Sequence, residues 1–299
     1  MKKKVFCTVV LTGMLSVLAV FTSCGNKSTV DADAQATEEQ FEPDERYASL
    51  DSVLTVLTYD LSDKTVDELV YHFENQSLAV KSYWFLNHKG GDESQIDKDV
   101  CSELAVLADS LSGGSTMDMM TSGIITSAVA RYLTTKEYVS NYSKNPLYQA
   151  EMSDWLALED ELKNFYCDLA ELANWGGSIT KVTSTGALSY LSEARQEDYS
   201  QLKKDGQYGG SEGLTIAEAR TNLIQELEDA KSLEDNPAAG EDFNKTLKRM
   251  RESGDKVVEL LDKWLASRAK LCDSEGIPER HTAHLISQMG QRIMELIEG

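Results

Sequence analysis

Proline and histidine are scarce in this 299-residue chain, with 4 of each, and no stretch alternates polar and apolar side chains long enough to demand a strand. Few prolines leave few enforced helix breaks. Without strands there is no place for a glycine-rich phosphate loop that follows one. The four histidines are His72, His88, His281 and His284, and only His281 and His284, three apart with Glu279 nearby, sit where imidazoles could share a metal. No His-Glu-x-x-His frame and no second ligand cluster accompanies them, so no metal and no cofactor are expected. A cysteine nucleophile would need a histidine base supplied by folding, and nothing in the spacing argues for one. Carboxylate pairs are unavoidable among 50 acids and carry no weight as glycosidase evidence. No catalytic residue is assigned, and the chain is read as a protein other than an enzyme. Cationic side chains are also in deficit, 29 against those 50 acids, for a formal charge of −21. Such a field repels nucleic acid and anionic headgroups and favours cationic partners.

Long apolar runs are missing too, except at the start. Lys2, Lys3 and Lys4 precede an apolar run of 17 residues from Val5 to Phe21, which closes at Phe21-Thr22-Ser23-Cys24. A cationic segment, an apolar segment and small residues before a cysteine form an export signal. The order resembles that of bacterial lipoproteins, in which the cysteine thiol takes a diacylglyceryl group and the new N-terminus is acylated. Residues 1–23 are therefore expected to be removed and Cys24 lipidated, anchoring the protein to a membrane of the cell envelope. Gly25 rather than an acid after Cys24 resembles the enteric sorting signal for the outer membrane. Loss of three lysines moves the formal charge to −24 on 276 residues. Residues 24–45 are polar, acidic and small and are expected to form a disordered tether. A coil of about 20 residues spans on the order of 25 Å.

Beyond the tether, apolar residues recur at helical spacing. Tyr148, Met152, Trp155, Leu162, Tyr166 and Leu169 trace one face, with Glu159 as its charged exception. Asn145 with Pro146 supplies a helix start, and Thr65 with Glu68 and Thr215 with Glu218 have capping-box spacing. The pattern predicts an all-α helical bundle with helices near 47–60, 65–88, 94–112, 116–133, 146–174, 178–204, 215–233, 240–273 and 279–298. It is read in two regions, 46–204 and 205–299.

The first region contains an internal similarity. Cys101 to Arg131 lines up with Cys167 to Arg195: each has a cysteine, then Gly-Gly-Ser, a glycine eight residues after the serine, and an arginine eight or nine later. Trp84 and Trp155 precede the two cysteines. A left-handed glycine followed by Ser115 or Ser178 as a cap would make each unit a helical hairpin. Besides Cys24 and Cys7, which falls in the signal, the cysteines are Cys101, Cys167 and Cys272, an odd number best read as small buried hydrophobes.

Near the C-terminus Trp264, Arg268 and Cys272 follow one another at steps of four. This spacing resembles the LprI-like family of lysozyme inhibitors, whose helix of that pattern is followed by Gly-Gly-Ser, a second cysteine and an arginine. Trp155, Cys167, Gly176, Gly177, Ser178 and Arg195 supply much of the same series centrally. Glu159 stands where the family has arginine, Ala187 falls near its second cysteine, and no Gly-Gly-Ser precedes Arg292. The likeness covers short motifs within 120–204 and 215–299. It implies a helical envelope lipoprotein that blocks a muramidase, and it leaves a Cys167 to Cys272 bridge between two such units as an alternative to free thiols. The motif side chains themselves are expected to be structural, the tryptophans as core anchors and the arginines as partners for acids. Two readings stay open: an inhibitor of a cationic hydrolase such as lysozyme, and an envelope scaffold that binds another exported protein.

Overall fold

The computed structural model of the chain describes residues 41–59, 65–175, 177, 179–202, 214–234 and 240–298. The export signal, Cys24 and the expected tether up to residue 40 lie outside the described residues, as do Gly176 and Ser178. The chain divides into two units, Met1–Phe41 and Glu42–Gly299, and the second holds every described helix. Among the described residues there is no strand. The α-helices are α1 (Leu50–Tyr59), α2 (Val66–Asn87), α3 (Ile96–Ser112), α4 (Thr116–Asn141), α5 (Pro146–Ala173), α6 (Thr180–Gln201), α7 (Ile216–Lys231), α8 (Glu241–Glu275) and α9 (Glu279–Glu298). The fold is an all-α bundle. No described helix is long and apolar enough to cross a membrane.

Side chains that satisfy free backbone groups set the helix starts. Thr65 with Glu68 and Thr215 with Glu218 form reciprocal capping boxes, and Asn145 accepts from the Leu147 N–H at 2.9 Å ahead of Pro146. Ser115 caps α4 through a third box, with Asp118. The glycines before it serve a different purpose from the one expected. Gly113 has φ −100, so no left-handed turn is made there. A Cβ on Gly114 would lie 2.7 Å from Asp118 Oδ2, so this glycine makes room for the cap. The N-cap of α6 is Ile179, without a side-chain bond. Helix α4 runs past its expected end at residue 133 because Thr134 and Thr135 turn their hydroxyls back onto the carbonyls of Ala130 and Arg131, at 2.9 and 2.8 Å. That satisfies two polar groups locally and lets the helix carry Tyr138 into the core. Asp44, the last residue but one of the expected tether, donates its backbone N–H to Ser82 Oγ at 3.0 Å and so belongs to the folded body.

Two apolar cores result. The smaller one joins α1, α2, α3 and α4 as far as Tyr132, through Val53, Val80, Trp84, Leu104, Ile125 and Tyr132. The larger one is built on α5 to α9 and also takes Leu69 of α2 and Tyr138 of α4. It runs across the divide between 46–204 and 205–299. Its spine is the antiparallel pair α5 and α8. Buried residues on α8 recur as Leu247, Met250, Gly254, Val257, Leu261, Trp264, Arg268 and Leu271, alternating steps of three and four, which is the spacing of a coiled-coil seam. Lys263 with Asp154, Lys256 with Glu161 and Arg249 with Asp168 pair along its flanks. At Gly254 the approach is close, since a Cβ there would stand 3.2 Å from the Phe165 ring.

Candidate functional site

Four helices converge on a cluster of charge inside the larger core. Helix α5 brings Glu151 and Trp155, one turn apart; α6 brings Arg195, Asp198 and Tyr199; α8 brings Trp264 and Arg268; and α9 brings Thr282. The four charged side chains close a ring. Arg195 donates from Nη2 to Glu151 at 2.8 Å and from Nη1 to Asp198 at 2.9 Å. Arg268 donates from Nη2 to Asp198 at 2.6 Å and from Nη1 to Glu151 at 3.4 Å. Two cations and two anions alternate, so the ring is neutral. Trp264 Nε1–H and the Tyr199 hydroxyl also donate to Glu151, at 2.7 and 3.2 Å, and Arg268 Nε–H donates to Thr282 at 3.2 Å.

Relative exposure is 0% for Glu151, 2% for Arg195 and 1% for Arg268, so the ring is shielded from bulk solvent. Desolvation costs several kcal/mol per ion. Aromatic faces offset part of it: the Arg195 guanidinium lies 4.2 Å from the centre of the Trp155 ring and 4.4 Å from that of Tyr199. A desolvated cation–π contact contributes about 2 kcal/mol. Trp155 in turn meets Trp264 edge to face at 5.5 Å. Burial alone would push the Glu151 carboxyl up, but the guanidinium groups of Arg195 and Arg268 outweigh it and hold the group at about 2. Arg195 and Arg268 are held above their ordinary range by the same carboxylates, against the effect of burial.

The motif residues thus divide. Trp155, Arg195, Trp264 and Arg268 meet in the ring, and Cys272 lies beside it with its sulfur 3.9 Å from Thr282 Oγ1. Cys167 is elsewhere, half-buried on α5, and Gly177 lies in the turn that follows that helix. Cys101, Cys167 and Cys272 are free thiols, so the bridge between Cys167 and Cys272 is not formed. Spacing did not single out Glu151 or Asp198, the two acids that close the ring. The available signal was positional: Glu151 stands four residues before Trp155, and Asp198 three after Arg195. In the earlier unit Arg131 pairs with Glu159 at 2.9 Å, the charged exception on the α5 face. His281 is buried, with its imidazole held below its ordinary pKa by desolvation, whereas His284 faces Glu197 at 4.0 Å. Among the described residues no three histidine, cysteine or acidic side chains are grouped to hold a metal.

A second feature is open to solvent. Helices α4, α5 and α6 border a cleft lined by Ile124, Leu156, Leu188 and Leu191 and by the Arg131–Glu159 pair. Asp160 and Lys163 also line it. A smaller pocket shares Arg131, Leu156, Glu159 and Ser192 with the cleft and is also lined by Trp155 and Arg195. Comparison with family models, curated proteins and solved structures finds no match to the chain.

Proposed function

We propose that the protein is an envelope lipoprotein, anchored through Cys24, whose acidic helical body binds a cationic exported protein, in the manner of the LprI-like lysozyme inhibitors. The observation that carries this reading is the closure of the buried ring. Arg195 and Arg268 are consumed internally by Glu151 and Asp198, so the ring adds no net charge and the acid excess of the chain falls on its other residues. Exposed acids such as Asp109, Glu259 and Asp273 carry that field outward. A field of one sign steers an oppositely charged partner and raises its association rate. The motif side chains then set the shape of the body, and the contact with the partner belongs to surface carboxylates.

Lysozyme turbidity assays test the reading. Added to a cell-wall suspension at low ionic strength, the protein slows clearing by lysozyme, and raising the salt concentration removes the effect, because exposed charges separated by more than about 8 Å are screened at 0.15 M. Undiminished clearing at low salt excludes the inhibitor reading. The alternative is an envelope scaffold for another exported protein. It draws on Trp175 and Ile179, large apolar side chains left exposed around the α5–α6 turn, with Trp175 set edge to face on Phe243 at 5.0 Å. Co-purification with one envelope protein at high salt would favour it.

A further inference from the structure

The cleft between α4, α5 and α6 differs in chemistry from the acidic surface. Its aliphatic side chains, Ile124, Leu156, Leu188 and Leu191, stand among hydroxyl-bearing and charged ones, and the charges balance: Arg131 is paired with Glu159, and the lining holds one further cation, Lys163, and one further acid, Asp160. A neutral ligand suits such a lining better than an ion. At Gly123 a Cβ would stand 3.2 Å from the backbone carbonyl of Thr185, so α4 and α6 touch there and hold the two walls at a fixed, narrow spacing. That spacing favours one slender chain over a ring system.

A buried polar group lies beside the cleft. Both Nη atoms of Arg195 are committed to Asp198 and Glu151, but its Nε–H has no acceptor, although the residue is almost wholly buried. Arg195 lines the neighbouring pocket, which shares Arg131, Leu156, Glu159 and Ser192 with the cleft. A buried donor left unmet is costly, and an acceptor oxygen delivered by a ligand removes that cost. Pockets that are mainly apolar with a few placed polar groups are the usual form of small-molecule sites.

We propose that this cleft binds a neutral fatty acyl ester with a single chain, its carbonyl oxygen accepting from Arg195 Nε–H and its chain lying against Ile124, Leu188 and Leu191. Titration of the protein with 1-decanoylglycerol, below the concentration at which it forms micelles, tests the site by calorimetry and by intrinsic tryptophan fluorescence. The ether 1-O-decylglycerol keeps the chain and the diol but lacks the carbonyl. One equivalent of ester is expected to bind, with the ether at least about tenfold weaker. Leu188→Trp fills the cleft and is expected to weaken the ester by a similar factor while circular dichroism shows the helices intact. If that variant does not fold, Ile124→Trp obstructs the opposite wall and takes its place. Absence of ester binding, equal binding of the ether, or full binding by a folded, obstructed variant overturns the proposal.

Discussion

Replacement of Glu151 by glutamine keeps the shape of the side chain but leaves Arg195 and Arg268 to share the carboxylate of Asp198. One buried cation is then uncompensated, and the expected loss is about 3 to 5 kcal/mol of folding stability, read from denaturant midpoints. Acid acts on the same atom. Glu151 is held at about 2 against an ordinary value of 4.5, so between those limits the unfolded chain binds more protons than the folded one. Its stabilising contribution is complete above about pH 4.5 and is lost as pH falls towards 2. Thermal melts across that interval check it: wild type loses stability as pH drops, and Glu151→Gln flattens the dependence. At this scale the sequence was half legible. Tryptophans and arginines at steps of four stand out because such residues are rare in the chain. Glu151 and Asp198 do not, because two acids among 50 carry no mark of burial until the helices that hold the arginines are placed opposite them.

The helices themselves were largely readable. A hydroxyl and a carboxylate three residues apart mark a start whatever the tertiary setting, and those at Thr65, Ser115 and Thr215 form as boxes. The end of α4 was misplaced because Thr134 and Thr135 are poor helix formers on propensity alone, and their bonds to the preceding turn become visible only in the folded helix. Gly254 is a related case, a poor helix former in the longest helix. Its Cβ position lies 3.0 Å from the movable side chain of Lys231 and 3.2 Å from the fixed ring of Phe165. Gly254→Ala is therefore expected to be close to neutral, since about 1 kcal/mol of helix propensity is offset by the tight contact. Gly254→Leu overpacks the α5–α8 seam and is expected to cost about 1 to 3 kcal/mol, measured by the shift of the thermal midpoint.

For the whole molecule, the proposed lipid attachment rests on Cys24. Cys24→Ala is expected to abolish incorporation of an alkyne-tagged palmitate in growing bacteria and to release the protein from the membrane fraction, both read on a gel; retained label excludes the assignment. No described helix is long and apolar enough to cross a membrane. The order of the helices could be written from sequence, but their assembly into two cores could not. Periodicity records which face of a helix is buried and not which neighbour covers it.

Helix α4 contributes Ile125, Ala128 and Tyr132 to one core and Tyr138 to the other, within a single hydrogen-bonded rod. Neither core can come apart without exposing part of the rod that the other needs, so the loss of one is transmitted to the other. The body should therefore behave as one cooperative unit, and amides in the middle of α4 should open to exchange only when the whole of it unfolds.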